Sequence, residues 1–314
     1  MGGDLAPSET VSGAVAAAAR GVDVLLVGQT EVLATELAKT GADLPLVEAP
    51  DVIGMGDDPA RSLREKPGSS ISVCAGLVAN GSAQGMVSAG STGAAMAAAA
   101  IVIGRIRGVI RPAIATVLPT SGSPTILLDS GANPEVTPEQ LVQFAVMGAV
   151  AAQILLGVDR PRVGLLSNGE EKGKGRDLER AAYDLIEATS LNFMGNVEGR
   201  DIATDRADVV VTDGFTGNVF LKTTEGAAKL VSGYMLESIS ELTAEVQEAV
   251  FPALAKVRER LDPETYGGAQ LLGVKGVTVI AHGASTRVAI SNALTMASDG
   301  AERNLPGRIA EQLG

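Results

Sequence analysis

The sequence predicts an α/β fold in which helices cover both faces of a mainly parallel sheet. Short apolar runs alternate with helical patterns almost throughout the chain, and glycines cluster just after the apolar runs. Of the 314 residues, 46% are hydrophobic but only 3% are aromatic, so the interior must be built from Ala, Val, Leu and Ile. Such an interior suits helices packed on buried parallel strands.

The predicted elements follow one another in order along the chain. Apolar runs predict strands at 22–27, 84–88, 113–118, 125–128, 162–166, 208–211 and 277–281. Helical patterns predict helices at 30–39, 91–103, 138–156, 177–188, 217–231 and 285–301. The runs at 113–118 and 125–128 lie so close together that they predict an antiparallel pair.

One segment departs from this alternation. From Ser232 to Leu261 the pattern is helical without strands, and apolar residues recur three or four positions apart from Leu242 onward. This predicts a helical protrusion over residues 232–261, kinked or split at Pro252, within a single domain spanning residues 1–314. The sequence leaves four contacts open for this protrusion: the body of the protein, a second subunit, a membrane or a partner protein.

Charge and cysteine content narrow the class of protein. The net charge of −12 argues against nucleic acid as the main partner, because binding its phosphate backbone needs a basic surface. A single cysteine excludes a disulfide within the chain and fits a reducing cytoplasm. The longest strongly apolar run, 94–104, is too short to span a bilayer. We therefore expect a cytoplasmic protein that at most lies on a membrane surface.

The most informative stretch is the loop after the strand at 162–166, which we call the Gly/Lys loop (residues 167–175). Its glycines at 169, 173 and 175 and its lysines at 172 and 174 precede a predicted helix. A strand, a glycine-rich loop and a helix N-terminus aim backbone N–H groups at an anion, and the lysines add positive charge.

Polar motifs follow four other predicted strands. They are Ser88-Ala-Gly-Ser-Thr-Gly, Asp129-Ser-Gly-Ala-Asn, Thr212-Asp-Gly-Phe-Thr-Gly-Asn and Ala281-His-Gly-Ala-Ser. Because ligands bind at the carboxyl ends of parallel strands, we expect all five loops to converge on one edge of the sheet.

Several chemistries are excluded by the sequence. It contains no dinucleotide fingerprint, no P-loop and no nucleophile elbow. His282 is the only histidine and Cys74 the only cysteine, so we expect no zinc cluster of these residue types, and no metal or cofactor. Cys74 lies in an apolar run that indicates a core residue.

Anion-binding loops without a covalent nucleophile suit one kind of reaction. If inorganic phosphate is itself the attacking group, the protein need supply only positioning and charge stabilisation. A thiol leaving group, with a pKa of about 8.5, departs as thiolate with little acid help. The residue inventory is therefore compatible with phosphate attacking a thioester.

An ordered series of motifs runs across essentially the whole chain: Met1-Gly-Gly-Asp-Leu-Ala-Pro, Ser88-Ala-Gly-Ser-Thr-Gly-Ala, Arg111-Pro-Ala, Leu127-Leu-Asp-Ser-Gly-Ala-Asn, Gln143-Phe-Ala, Gly164-Leu-Leu-Ser-Asn-Gly-Glu-Glu, Gly195-Asn-Val-Glu-Gly-Arg, Asp213-Gly-Phe-Thr-Gly-Asn-Val, Tyr266-Gly-Gly-Ala-Gln-Leu-Leu-Gly and His282-Gly. This series resembles the bacterial phosphate acyltransferases of phospholipid synthesis. The resemblance implies a three-layer α/β/α fold similar to phosphotransacetylases and isocitrate-dehydrogenase-like proteins.

The resemblance also implies a reaction and partners. A fatty acyl group would move from acyl carrier protein to inorganic phosphate, giving acyl phosphate for a membrane glycerol-3-phosphate acyltransferase. The enzyme would be a cytoplasmic homodimer with peripheral membrane association. A phosphotransacetylase acting on short acyl-CoA is the alternative enzyme, and a non-catalytic scaffold that sequesters carrier protein is a third hypothesis.

Candidate site residues come from these motifs. For phosphate and substrate binding they are Asn168, Gly169, Lys172, Lys174, Ser91, Thr92, Asn133 and Asp4. Asp213 would orient a lysine or a water, Asn218 would donate to an oxyanion, and His282 would act as an acid to the thiolate or bind phosphate. The competing explanations are helix capping, turn chemistry and a solvated charged loop.

Three features depart from the family pattern. Family members usually carry a short strand before the Met-Gly-Gly-Asp motif, and the position of Asp4 depends on that strand. Ser91 stands where the family often has Asn. A His common in the family near Glu48 is missing, which weakens any general-base role there.

Two basic clusters are candidates for docking an acidic carrier protein. One contains Arg105, Arg107 and Arg111, and the other Lys256, Arg258 and Arg260. The sequence does not choose between them.

Overall fold

The computed structural model describes residues 1–261 and 263–314, without the side chains of residues 258, 259, 261 and 263. Arg258, one of the predicted docking residues, therefore has its side chain outside the described part. The strands are β1 Leu26–Gly28, β2 Leu46–Glu48, β3 Gly85–Ser88, β4 Ala113–Leu118, β5 Thr125–Leu128, β6 Arg162–Leu166, β7 Asn192–Val197, β8 Val209–Val211, β9 Ala269–Leu272 and β10 Val277–Ile280.

The helices alternate with these strands. They are α1 Ser8–Ala18, α2 Thr30–Thr40, α3 Pro59–Glu65, α4 Ser70–Ala79, α5 Thr92–Ala98, α6 Pro138–Leu155, α7 Asp177–Glu187, α8 Gly214–Ser240, α9 Ala244–Leu261, α10 Arg287–Glu302 and α11 Leu305–Leu313. A π-helical segment, Ala99–Gly104, continues α5. None of the helices in the described part of the chain is both long and apolar enough to cross a membrane.

The main sheet has eight strands in the order β3-β10-β9-β4-β5-β8-β6-β7. The pairs β3–β10, β5–β8, β8–β6 and β6–β7 are parallel, so most of the pairing is parallel as predicted. The three central pairs, β10–β9, β9–β4 and β4–β5, are antiparallel, which confirms the predicted 113–118/125–128 pair.

This pairing fixes the direction of every strand in the sheet. Strands β3, β4 and β10 run one way, and β5 to β9 run the other. The loops after β3 and β10 therefore leave the sheet at the opposite end from those after β5, β6 and β8. The expectation that five loops converge on one edge is wrong, because it assumed a single strand direction.

Helices cover both faces of the sheet. Alternate residues of a strand point to opposite faces. Ile126 and Leu128 of β5 pack with α6, α7 and α11, whereas Leu127 packs with Phe220 and Leu221 of α8. In the other half of the sheet, Val277 and Val279 pack with α10, and Ile114, Leu271 and Ile280 pack with α4 and α5. The predicted three-layer α/β/α architecture is confirmed.

Strands β1 and β2 form a separate parallel pair covered by α1 and α2. A cavity of about 100 Å³ lies between this pair and β3, and it is lined by Met1, Leu26, Met86 and Cys74. Its lining is mainly apolar and also includes Gly2, Gly3 and Ser91, so the cavity lies beside the loop that follows β3.

The predicted helix at 217–231 and the first part of the predicted protrusion at 232–261 form one helix, α8. Helix α8 runs without interruption from Gly214 to Ser240, and α9 follows after three residues. Helix α9 continues through Pro252, so of the two expected outcomes, a kink or a split, the split does not occur. The predicted strand 22–27 is shorter than expected, since β1 begins only at Leu26.

Candidate active site

Two helices on the same face of the sheet frame the candidate site. Helix α5 packs over β4, β9 and β10, and α8 packs over β5, β6 and β8. The loop after β5 (residues 129–133) lies between them, because Ala132 packs against the hydrophobic cluster that contains α5, and Asn133 bonds to the start of α8. The candidate site residues therefore lie around α5 and α8.

The N-terminus of α8 is fixed by Asp213. Its carboxylate caps the helix by accepting hydrogen bonds from the Thr216 backbone N–H and the Thr216 hydroxyl, both at 2.8 Å. Burial acts to raise the pKa of Asp213, but the bonds from Thr216 and the Arg176 guanidinium outweigh it, so this pKa lies below its ordinary value. Asp213 is therefore a buried anion held in place at a helix N-terminus.

The loop after β5 is held by a second buried carboxylate. Asp129 is fully buried and accepts five N–H bonds of 2.7–3.1 Å, from the backbone of Ile114, Gly131, Ala132 and Asn133 and from the Asn133 amide. Burial raises the pKa of Asp129 in spite of these bonds. This residue shapes the loop and has no face open to a ligand.

Helix α8 is seated directly on that loop. A Cβ on Gly217 would lie 1.9 Å from the Asp129 carbonyl oxygen, so only glycine fits there. The Gly214 N–H donates to the Asn133 carbonyl at 2.8 Å. Asn218 is exposed one residue further along, with its side chain against Gly131. The Asn218 amide is thus available at the surface between loop and helix.

Asn133 is largely committed to the fold. Its amide nitrogen donates to the Pro112 carbonyl at 2.8 Å and to Asp129 at 2.9 Å. These bonds tie the loop after β5 to the residue that follows Arg111.

The Gly/Lys loop is ordered by its own polar groups. The Asn168 side chain accepts from the Gly175 N–H at 2.9 Å and closes the loop. Gly169 is buried, and a Cβ there would lie 2.8 Å from the stem of Lys174. Asn168 and Gly169 therefore shape the loop, and the ammonium group of Lys174 is exposed without a carboxylate partner in the described part of the chain.

Lys172, unlike Lys174, pairs with carboxylates on α7. Its ammonium contacts Asp184 at 3.0 Å and Glu187, and it lies 4.9 Å from the centre of the Tyr183 ring. The Glu187 and Asp184 carboxylates raise the pKa of Lys172. Two anionic partners on α7 are not the arrangement expected of a lysine that holds phosphate.

Arg176 joins the Gly/Lys loop to α8. Its guanidinium bonds to Glu179 and to Asp213, both of which are buried. Sequence reasoning missed this residue. The only signal was its position directly after Gly175, and the residue it contacts lies 37 positions away.

Two buried oxygens beside this loop have no hydrogen-bond partner among the described residues: Ser167 Oγ and Asn196 Oδ1. Gly175 is close to Ser167, and the Asn196 amide nitrogen donates to the Glu171 carbonyl at 2.9 Å. Buried polar groups are ordinarily satisfied, so these two oxygens are exceptions within the described part of the chain.

The remaining predicted residues gather at the other end of the sheet. The Asp4 N–H donates to the Gly283 carbonyl at 2.8 Å, and the Asp4 carboxylate lies over Gly283. Ser91 is buried and caps α5 through the Ala94 N–H, whereas Thr92 is exposed. His282 is exposed, and its Nδ1 accepts from the Ala284 N–H at 3.2 Å. This bond occupies Nδ1 of His282 and leaves Nε2 without a hydrogen bond among the described residues.

Two further groups bear on the chemistry. Burial raises the pKa of the Cys74 thiol to about 11, which keeps it protonated and unsuited to nucleophilic attack. Among the described residues, Glu170, Glu198 and Asp201 are close enough to share a cation, but Arg206 already pairs with Glu170 and Asp201. This acidic group is accounted for as an ion-pair network.

Comparison with solved structures gives the class of the fold. A phosphotransacetylase from Streptococcus pyogenes superposes with a TM-score of 0.59 at 19% identity, covering 93% of this chain and 91% of that one. At this identity the likeness shows the fold alone. The architecture is that of phosphotransacetylase-like α/β/α proteins, as predicted.

Comparison of sequences gives the family. A family model described as "Fatty acid synthesis protein" matches residues 1–308. The phosphate acyltransferase of Desulforamulus reducens is 46% identical over 317 residues, covering 100% of this chain and 95% of that protein. That of Pelotomaculum thermopropionicum is 48% identical over 310 residues, covering 97% and 91%. The chain belongs to the phosphate acyltransferase family, which confirms the resemblance drawn from its motifs.

Proposed function

We propose that this protein transfers a fatty acyl group from acyl carrier protein to inorganic phosphate, producing acyl phosphate for phospholipid synthesis. The observation that carries the proposal is identity of 46–48% to phosphate acyltransferases along essentially the whole chain. The shared fold does not favour the alternative, a phosphotransacetylase for short acyl-CoA, because the solved phosphotransacetylase resembles this chain in architecture only.

The proposed reaction needs no covalent enzyme intermediate. A phosphate oxygen attacks the thioester carbonyl carbon and forms a C–O bond. The C–S bond then breaks, and the thiolate leaves with its electron pair and takes up a proton. The protein holds the two reactants together and stabilises the negative charge that develops on the carbonyl oxygen.

The Gly/Lys loop is the proposed phosphate seat. Lys174 supplies an exposed ammonium group that has no ion-pair partner in the described part of the chain. Asn168 and Gly169 give the loop its shape, and Lys172 contributes through its packing on α7.

The N-terminus of α8 is the proposed seat of the thioester. The exposed Asn218 amide and the positive end of the helix stabilise the oxyanion. Asp213 positions this helix end and Arg176, and Asn133 positions the loop beside it. Ser91, Thr92, Asp4 and His282 lie at the other end of the sheet from both seats, so in this proposal they bind a different part of the substrate, and the departing thiolate takes its proton from water.

Phosphate dependence tests this proposal. Purified protein is incubated with acyl carrier protein thioester, with phosphate or with sulfate at equal ionic strength, and released thiol and hydroxylamine-trapped acyl phosphate are measured. We expect both products only with phosphate. Equal thiol release in sulfate would make the protein a thioesterase, and faster turnover of short acyl-CoA would favour the alternative.

The proposal extends to assembly and location. We infer that residues 1–314 form one domain, because α10 packs against both the β1–β2 layer and the main sheet. We further infer a cytoplasmic homodimer with peripheral membrane contact that passes acyl phosphate to a membrane glycerol-3-phosphate acyltransferase. Exposed apolar residues along α8 and α9 support a role for these helices in such contacts.

A further inference from the structure

One long stretch of this acidic protein contains no acidic residue. Residues 66–128 include no Asp or Glu, although the whole chain carries a net charge of −12. Arg105, Arg107 and Arg111 all lie within this stretch and within seven positions of one another. The net charge of residues 66–128 is therefore positive, opposite in sign to the net charge of the whole chain.

The fold turns this stretch into a mixed basic and apolar surface. We define the Arg107 surface as Ile101, Arg105, Arg107, Ile110, Arg111 and Lys275. The first five side chains are exposed, and Ile101 retains 67% of its accessible area. The Lys275 side chain reaches Gly104, so a residue from the β9–β10 turn adds a fourth cation.

The loop that carries this surface is held in one conformation. The Gln143 side chain accepts from the Ile110 N–H at 2.9 Å and donates to the Gly108 carbonyl at 2.8 Å. Arg105 donates to the Ile110 carbonyl at 2.5 Å, and Ile106 and Val109 are buried beneath the loop. A pre-organised surface loses little conformational entropy on binding.

The four cations of the Arg107 surface are available to a partner. None of them takes part in an ion pair within residues 1–261 and 263–314, whereas Arg162, Arg176, Arg206 and Arg287 are all paired. Unpaired cations beside exposed isoleucines suit a partner that presents carboxylates around an apolar contact.

The Arg107 surface borders the candidate active site. Pro112, next to Arg111, accepts from the Asn133 amide at 2.8 Å, and the Ile114 N–H donates to Asp129 at 3.0 Å. A partner seated here would therefore lie beside the loop that separates α5 from α8.

We propose that the Arg107 surface docks the acidic carrier protein that delivers the acyl thioester. This proposal rests on the proposed function. The other basic cluster is less suited, because Lys256 and Arg260 share α9 with Glu245 and Glu248. Docking through exposed charges mainly raises the rate of association, and this effect weakens as the salt concentration rises.

The test reverses two charges at each cluster. Arg107→Glu/Lys275→Glu alters the proposed surface, using residues whose side chains make no hydrogen bond within the described residues. Lys256→Glu/Arg260→Glu makes the same charge change on α9 and is the matched control. Thermal melting establishes that both variants fold. Each is assayed with carrier-protein thioester and with an acyl-pantetheine thioester that lacks the carrier protein.

We expect Arg107→Glu/Lys275→Glu to raise KM for the carrier-protein thioester at least tenfold, with unchanged kcat and unchanged turnover of acyl-pantetheine. Added salt should narrow the difference between this variant and the wild type. The control should stay within twofold of wild type for both substrates.

Two results would overturn the docking proposal: an unchanged KM, or a larger effect of the α9 control. An unchanged KM together with lost binding to anionic vesicles would make the surface a lipid contact. Absence of phosphate-dependent turnover of either thioester by the wild type would instead defeat the proposed function.

Discussion

The two lysines of the Gly/Lys loop differ in what their ammonium groups contact. Lys172 has two carboxylate partners on α7, whereas Lys174 is exposed and unpaired within the described residues. We therefore predict that Lys174→Ala raises the KM for phosphate about tenfold, equivalent to about 1.4 kcal/mol of binding, because it removes a charge–phosphate contact. Steady-state rates over a range of phosphate concentrations measure this.

Lys172→Ala is the matched control for that measurement, since it removes the same charge from the same loop. Its KM for phosphate should change less than threefold. Equal effects of the two substitutions would mean that the loop acts through its overall charge, and a larger effect of Lys172→Ala would reverse the assignment.

Asp213 links folding stability to pH. Its pKa is depressed in the folded protein, so its contribution is present above the ordinary Asp pKa of about 3.9 and is lost as pH falls through the folded value. Asp213→Asn should lower the free energy of unfolding by about 1–3 kcal/mol at pH 7, because hydrogen bonds to a charged group are lost. Denaturant unfolding from pH 7 to pH 3 should show this difference shrinking as the pH falls below 3.9.

The control is Asp23→Asn, an exposed aspartate in a loop. It should change the free energy of unfolding by no more than about 0.5 kcal/mol. A stability loss in Asp213→Asn that persists undiminished at low pH would show that the side chain matters through packing and not through its charge.

Helix α8 is an element whose position depends on one glycine. Because a Cβ on Gly217 would overlap the Asp129 carbonyl, Gly217→Ala must push the helix away from the loop or distort the loop. We predict a loss of about 3 kcal/mol in the free energy of unfolding, together with loss of acyl transfer. Chemical denaturation measures the loss of stability, and the phosphate-dependence assay measures the loss of acyl transfer.

Gly226, on the same helix, provides the comparison. No atom lies within 4 Å of the position that its Cβ would occupy. Gly226→Ala should stabilise the protein by about 0.5–1 kcal/mol, because alanine favours the helix, and should leave activity unchanged. If both substitutions behaved alike, the close seating of α8 on the loop would be contradicted.

The elements that the sequence predicted well are those defined by local burial. Strands β4, β5 and β6 are continuous apolar runs, and their bounds match the prediction exactly in residue number. Strands β7 and β9 were missed because Gly195, Asn196 and Gln270 interrupt their apolar pattern. Their polar side chains are buried, which a local pattern does not reveal.

Strand direction and the partners of site residues are properties of the whole molecule. The opposite directions of β3 and β5 depend on β9, which lies between β10 and β4 in the sheet and more than 140 residues after β5 in the chain. The Arg176–Asp213 pair likewise joins two distant segments. Sequence motifs therefore identified the loops and the family, but not the arrangement of those loops around α5 and α8.

At the scale of the assembly, α8 and α9 present an apolar surface beyond the body of the protein. Leu230, Val231 and Tyr234 lie on one face of α8, and each retains more than half of its accessible area. Large exposed apolar patches mark interaction sites, and the proposed occupant here is a second copy of the chain. Val231→Glu/Tyr234→Glu should therefore convert a dimer into a monomer, because it would bury charges in the interface.

Sedimentation at several protein concentrations measures the oligomeric state, with Leu185→Glu, an exposed apolar residue on α7, as the control that should remain dimeric. Flotation with lipid vesicles separates the other possible role of these helices. A Val231→Glu/Tyr234→Glu protein that stays dimeric but no longer floats would assign the surface to the membrane. A wild-type chain that sediments as a monomer at micromolar concentration would contradict the homodimer itself.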